Sequence, residues 1–310
     1  MRGRSNERGA ILLIVVGLIA VLTVLVTQAL TDTQISVRRA TNTEDWNRAF
    51  EVARGGAAAA EALLIEDAKG SETQKQDDLS EDWAQVLPPF PVEDGVVAVQ
   101  IEDGNRYFNV NRIWEAQASG NGTASVTHID ILSRLLQNQG APGPLALVVA
   151  DALDPDVEPR PSGDEGAGYT DGGPRNGWFD TDAEIWRLPG LGDPEVQKVL
   201  RPLVMAVDPG VNHTINVNTA SPQVLAAAID TSLGIAEQVI HERPFDAVST
   251  MYNLQVLSGL TTPQGVFDVK SDLFRISATA RFGRAQATVI RWVRRNGTTI
   301  QTIRQEVPLW

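Results

Sequence analysis

An apolar run over residues 10–26, set directly behind Arg2, Arg4, Arg8 and Gly9, constrains this chain more than any other stretch. Every residue in it is apolar, Gly or Thr, and Ala29 and Leu30 extend it past Gln28. A run of about 20 such residues is long enough to cross a bilayer as a helix. The arginines before it mark the cytoplasmic side, so the chain from Thr31 onward is expected across the membrane. An ordinary secretory signal needs a shorter apolar core, a small-residue cleavage site and then a break in the pattern. Here Ile35, Val37, Ala40, Trp46, Ala49, Phe50, Val52 and Ala53 continue at spacings near three and four, with no proline before Pro88. That pattern predicts one helix passing from a membrane span into an amphipathic stalk. A plain membrane anchor is the alternative.

The chain of 310 residues contains no cysteine, so an exported domain built from it relies on its own core or on metal ions. Its net charge is -13, and removing residues 1–9, which hold three arginines and one glutamate, makes it -15. A domain this acidic repels nucleic acid and anionic lipid, and suits divalent cations or basic partners.

The helix is expected to reach about Ala68, with Gly55 and Gly56 marking a bend or a close packing contact. Residues 70–81 read as a loop and 83–87 as a short helical piece, ended by Pro88, Pro89 and Pro91. Val97, Val99 and Ile101 alternate along a strand at 96–102; Asp103 and Gly104 signal a hairpin, and 107–110 reads as the returning strand. Strands at 274–282, 287–294 and 299–307 form a meander with turns at Gly283 and at Asn296-Gly297. Between the two groups the pattern is helical, at 129–136, 145–153, 184–188, 194–204, 222–229, 235–243 and 248–254. The expected fold class is therefore α+β, with a large all-α domain inserted between two parts of an antiparallel sheet.

Leu188, Pro189, Gly190, Leu191 and Gly192, followed by a helical stretch, resemble a helix-hairpin-helix turn, and Asn216 onward begins a second such unit. Phe108-Asn-Val-Asn111 echoes Ile215-Asn-Val-Asn218. Such hairpins can bind DNA, but few basic residues, Lys198 and Arg201 among them, lie near the first turn, so a structural packing unit is the better reading. The acidic loop carries Asp151, Asp154, Asp156, Glu158, Asp164, Glu165 and Asp171. Crowded carboxylates repel unless solvated or bridged by a cation. Calcium takes six to eight oxygens from such a loop. It is not an EF-hand, since Gly is absent from the sixth position counted from Asp154. A solvated loop and a calcium site are equally consistent with the spacing alone. An enzyme is not indicated: His128, His213 and His241 lie in unrelated contexts, and no nucleophile, zinc or P-loop motif is present.

The short basic leader ending in Gly9, followed by an apolar helix running into a soluble half, resembles the start of type IV pilins and pseudopilins. The resemblance implies that prepilin peptidase cuts between Gly9 and Ala10 and methylates the new terminus. Most of that family has Glu at the fifth mature residue, which here is Ile14. Its absence resembles the K subunit of type II secretion systems. That subunit's calcium loop has the pattern D-W-x-D-x-D-x-x-P, then G-A-E-D-x-x-Y. Asp151, Asp154, Asp156, Pro159, Gly163, Glu165 and Tyr169 match it in register, while Ala152, Asp164 and Gly166 depart from it. With Asp164 or Asp171 as possible substitutes for the missing carboxylate, the resemblance implies calcium as the cofactor.

It also implies an organisation: a leader at 1–9, a transmembrane and stalk helix at 10–68, and the first part of the pseudopilin sheet at 69–115. An inserted α-helical domain at 116–270 and a C-terminal β-meander at 271–310 follow. The implied role is that of a minor pseudopilin at the tip of the pseudopilus, helping to start assembly and to export folded proteins across the outer membrane. The implied partners are the I, J and H minor pseudopilins, the major pseudopilin, prepilin peptidase and the inner membrane, with the soluble domain in the periplasm and no nucleic acid. The alternatives are an anchored periplasmic calcium-binding protein outside any pilus, and a DNA receptor using the helical hairpins.

Overall fold

The computed structural model describes residues 5–70, 76–116, 122–166, 168–169, 173–208 and 213–308. Helix α1 (Ser5–Gly70) is continuous over 66 residues, about 100 Å at 1.5 Å per residue. Its apolar first part is exposed from Ile11 to Leu30, with no part of that span buried by the other described residues. Within it, Thr23 and Thr27 return their hydroxyls to the carbonyls of Ile19 and Thr23, at 2.8 Å each, so neither leaves a polar group facing an apolar medium. Further on, Ala49, Ala53, Ala57, Ala60 and Leu64 form a buried stripe at spacings of three and four. Small residues there let the helix lie close on the sheet. A Cβ at Gly56 would stand 3.0 Å from Val99 and 3.1 Å from Val97, whereas Gly55 faces open space. Of the glycine pair, Gly56 is the packing contact, and the helix runs unbroken through both.

In chain order there follow β1 (Phe90–Val92) and β2 (Gly95–Asp103), then a second body. That body contains β3 (Phe108–Asn109), the hairpin β4 (Trp114–Ala116) with β5 (Gly122–Ala124), α2 (Val126–Asn138) and α3 (Leu145–Leu153). Next come α4 (Asp182–Ile185), α5 (Pro194–Leu200), β6 (Val204–Met205) and β7 (Ile215–Asn216). It ends with α6 (Pro222–Ile229), α7 (Leu233–His241), α8 (Val248–Tyr252) and β8 (Phe267–Asp268). The chain then returns to the sheet as β9 (Leu273–Phe282), β10 (Ala285–Asn296) and β11 (Thr299–Glu306). The sheet has five strands in the order β1-β2-β9-β10-β11, all antiparallel. Val97, Ile101, Phe274, Ile276, Ala278, Ala280 and Val289 face the buried stripe of α1. Arg291 reaches Glu61 at 2.9 Å and Arg295 reaches Asp67 at 2.7 Å, tying the end of α1 to β10.

The hairpin expected at Asp103-Gly104 does not form. Asp103 is buried and its Oδ1 accepts the Asn105 N–H at 2.7 Å, starting a 3-10 turn over Gly104–Arg106. A hairpin turn would put that carboxylate in water. The following strand leaves the sheet and pairs in parallel with β6, and β2 pairs with β9 across the whole insertion. Phe108, Val110 and Ile113 pack in the helical core, so the first part of the sheet ends near Asp103 rather than at 115. The helix expected over 194–204 stops at Leu200 because Val204 and Met205 are taken by the strand pair. The insertion is helical apart from three short strand pairs among the described residues.

The echo between the two Asn-Val-Asn segments is a structural duplication. In the first unit Asn109 Oδ1 accepts the Asn111 N–H at 3.2 Å, and Asn111 grips the backbone of Phe179, accepting from its N–H at 3.0 Å and donating to its carbonyl at 2.9 Å. In the second, Asn216 Oδ1 accepts the Asn218 N–H at 2.8 Å, and Asn218 grips Phe245 in the same way at 2.8 and 3.0 Å. Each unit runs strand, helix pair, clamped Phe, short helix and turn, and closes with a strand parallel to the first. Helix α2 packs on α6, joining the two units in one core. The first unit carries two additions, the β4–β5 hairpin before its helix pair and the acidic loop between that pair and the clamped Phe.

Two buried histidines lie in this core. Among the described residues His213 has no partner at either ring nitrogen, and burial, reinforced by Arg112 and Arg294, pushes its pKa down to about 3. His128, bonded to Ser125 Oγ at 2.8 Å, is pushed down to about 4, chiefly by burial. A histidine that stays neutral in the fold but protonates when unfolded contributes stability that is lost as pH falls below about 6.5. His213→Leu is therefore expected to gain about 2 kcal/mol relative to the parent between pH 7 and pH 5. Urea unfolding of both proteins in detergent at the two pH values measures this. Parallel pH dependence would mean that the imidazole is reached by water.

Candidate functional site

The acidic loop is built onto the C-terminus of α3. Asp151 lies in the last turn and Asp154 caps it, so two carboxylates sit at the negative end of a helix, where a cation is favoured. Both are fully buried. The loop then folds back and places Arg160 against them. Arg160 Nη1 donates to Asp151 Oδ1 at 2.6 Å and to Asp154 Oδ2, and its backbone N–H donates to Asp151 Oδ2 at 3.1 Å. Gly163 crosses directly over this point: a Cβ there would fall 1.8 Å from Asp151 Oδ2, so only glycine allows the crossing.

Glu165 completes the group. Carboxylate atoms of Asp151, Asp154 and Glu165 lie within 4.8 Å of one another. Among the described residues no N–H or O–H group serves Asp154 Oδ1, either oxygen of Glu165 or the Tyr169 hydroxyl, all of which are buried, and the Glu165 and Asp154 carboxyls meet each other. Burial, followed by the charges of Asp154, Asp151 and Asp156, pushes the Glu165 pKa up to about 7. Burial also raises that of Asp154, against the pull of Arg160. Buried carboxylate oxygens without partners are costly. An all-oxygen set with no nitrogen or sulfur is the donor chemistry of a hard divalent cation.

The remaining acidic residues of the loop are placed otherwise. Asp156 is exposed and its Oδ1 accepts the Glu158 N–H at 2.9 Å, while Glu158 itself is exposed. Asp164 accepts the N–H groups of Gly166 and Gly168, at 2.8 Å each, and so shapes the backbone. Asp171 lies outside the described residues. Arg160 is the residue that reading the sequence for acids passes over, and the signal was its position as a lone cation among carboxylates. A second acidic group, Asp67, Asp77 and Glu81, joins α1 to the sheet. There Arg295 serves both aspartates, Ser271 N–H reaches Asp77 Oδ2 at 2.7 Å and the Trp83 indole serves Glu81.

The hairpin-like turn is a packing device. Leu188 and Leu191 are buried, and Gly190, at φ +77°, lies so close to α3 that a Cβ would stand 2.5 Å from Leu145. Arg201 stacks over Trp186 at 5.1 Å rather than standing free for phosphate. At the other end of the molecule Gly9 and Ala10 lie within α1, and Ile14 is 70% exposed on the apolar segment.

The comparisons with known proteins follow this anatomy. A model of protein K of the type II secretion system matches residues 106–209, and a second model of the same protein matches 215–270; these are the two duplicated units. Protein K of Klebsiella pneumoniae is 30% identical over 75% of this chain and 73% of its own. Protein K of Pseudomonas aeruginosa is 29% identical over 77% of this chain and 73% of its own. That of Pectobacterium carotovorum subsp. carotovorum is 25% identical over 98% of this chain and 97% of its own. The fold matches a chain of the crystal structure of the GspK-GspI-GspJ complex from enterotoxigenic Escherichia coli, with TM-score 0.72 and 20% identity over 88% of this chain and 100% of that one. This chain therefore belongs to the protein K family of the type II secretion system and is a minor pseudopilin of that system.

Proposed function

We propose that this minor pseudopilin is the tip subunit of the pseudopilus, where it helps to start assembly and so to export folded proteins across the outer membrane. The observation that carries the proposal is Ile14, an isoleucine exposed on the apolar segment of α1 where stacking subunits of the family pattern carry Glu. Such a Glu meets the charged terminus of a neighbour; Ile14 has no charge to offer to a subunit above. The insertion beside the sheet adds bulk that a further subunit would have to clear. The apolar part of α1 lies in the inner membrane before assembly and among neighbouring helices afterwards, with the soluble domain in the periplasm. The partners are the I, J and H minor pseudopilins and the major pseudopilin, and the relative found with GspI and GspJ supports the first two. The chain works by assembly and catalyses no reaction. Calcium is the ion of the acidic loop, with Asp154 and Glu165 as the open donors.

Processing by prepilin peptidase between Gly9 and Ala10 tests this reading. Membrane-bound protein is expected to begin at a methylated Ala10, and Gly9→Leu to accumulate as precursor that no longer crosslinks to the I and J subunits. N-terminal sequencing and intact mass check both. A terminus beyond the apolar run, or Met1 retained in the assembled protein, would overturn processing at Gly9 and with it assembly through the new charged terminus. The full chain is also expected not to retain duplex DNA at physiological salt, given its charge of -13. Salt-sensitive micromolar binding in a shift assay would contradict that.

A further inference from the structure

We propose that Arg106 and Arg243 form a notch that takes a carboxylate from a neighbouring subunit of the assembly. This rests on the tip-subunit reading above and adds a contact through which the chain holds a partner. Arg106 ends the 3-10 turn that leaves the sheet, and Arg243 follows α7 of the second unit. The turn packs on β7, and Arg243 Nη2 donates to the carbonyl of Ala220, just beyond β7, at 2.6 Å. Both side chains thus come to one segment, and neither is satisfied there. Arg243 Nε is buried with no partner among the described residues, and Arg106 rests over the Tyr107 ring at 5.6 Å. Every other half-buried arginine among the described residues pairs with a carboxylate; these two do not. Burial, reinforced by the charge of Arg106, lowers the Arg243 pKa to about 10. Two cations therefore stand side by side, partly desolvated, with no anion of their own.

The acids beside Arg106 are already engaged. Glu102 holds Arg275 at 2.8 Å, Asp272 holds Arg294 at 3.3 Å, and Asp103 is buried among its own donors. The place of the notch selects the missing anion. Asp103 bonds Ser271, and Arg295 joins Ser271 to Asp67 of α1. Asp67 lies about 55 Å along the helix from Leu30, where the apolar segment ends. A lipid phosphate does not reach that height, and a chain of charge -13 repels a polyanion. The soluble part of a neighbouring subunit does stand there. Guanidinium forks match the two oxygens of an Asp or Glu side chain, and such a contact is stronger where water is partly excluded.

The test is binding of the full chain in detergent to the I and J subunits together, by biolayer interferometry, with the melting temperature of each free variant measured alongside. Arg106→Glu is expected to weaken binding by about tenfold or more, because it sets a carboxylate against the partner's own. Arg106→Lys keeps the charge and should bind much more nearly as the parent does. Binding by the parent should weaken as salt is raised, and that of Arg106→Glu should respond less. The free Arg106→Glu chain is expected to melt no lower than the parent, since its new carboxylate answers Arg243. Unchanged binding in Arg106→Glu, or a fall in its melting temperature that shows Arg106 to be held within the chain, would overturn this inference and leave the tip-subunit reading standing. A parent chain that binds neither subunit would overturn that reading itself.

Discussion

Calcium is expected to raise the melting temperature of the full chain in detergent, and Glu165→Gln to remove the rise. Without an ion, Asp151 and Asp154 share one guanidinium at the end of α3, Glu165 stands beside them, and its oxygens are buried with no donor among the described residues. The loop carries several prolines and has no disulfide to hold it. An ion that binds only the folded chain stabilises it by about 2.7 kcal/mol at a hundredfold excess over Kd. For a domain of this size that is roughly 5–10 °C. Magnesium should do less, because it keeps its waters and demands a tighter octahedral shell. Asp156→Ala should keep most of the calcium shift, since Asp156 is exposed and spends its carboxylate on the Glu158 N–H. Melting in calcium, magnesium and chelator, for the parent and the two variants, measures all of this. Equal temperatures in the three conditions would leave a solvated acidic loop and no metal site.

What could be read from the sequence follows the range of the forces involved. The apolar helix, the β9–β11 meander and the paired helices are local patterns of period 3.6 or 2, and the structure has them within a few residues. The signals that misled were also local. Asp103-Gly104 has the composition of a hairpin turn, but partners 113 to 168 residues away take the Asp103 side chain into the interior. The two-residue strands at Phe108–Asn109 and Ile215–Asn216 are too short to show a period, and their parallel partners lie far along the chain. The loop's acids were visible as a group. Which of them converge was not, because that depends on Arg160 and on a glycine crossing at 163 that only the folded backbone defines.

Asp103→Ala is expected to be the most damaging single substitution outside the hydrophobic core. Asp103 sits where the chain leaves the sheet, and Ser271 where it returns. Its Oδ2 accepts from Ser271 Oγ at 2.7 Å, from Asn216 Nδ2 at 3.2 Å and from the Thr219 hydroxyl; its Oδ1 accepts from the Asn105 N–H at 2.7 Å. Burial pushes its pKa up to about 6, against the bonds from Thr219, Ser271 and Asn105. One carboxylate thus joins both ends of the insertion to the start of the second unit. Removing it leaves several buried donors unanswered, at about 1–3 kcal/mol each. Asn216 keeps the Asp77 carbonyl at 2.9 Å and the serine hydroxyl can turn, so the net loss is about 3–5 kcal/mol, a large part of a marginal stability. Asp103→Asn should not rescue it. Whichever way the amide is turned, its NH2 faces a group that can only donate, the Asn105 N–H on one side or the Asn216 amide on the other. Denaturant unfolding gives the size of the loss, and limited proteolysis around 104–107 and 270–273 reports whether the insertion has come free of the sheet. A loss below about 1 kcal/mol, with no new cleavage, would mean that water reaches this junction and that packing alone holds the two bodies together.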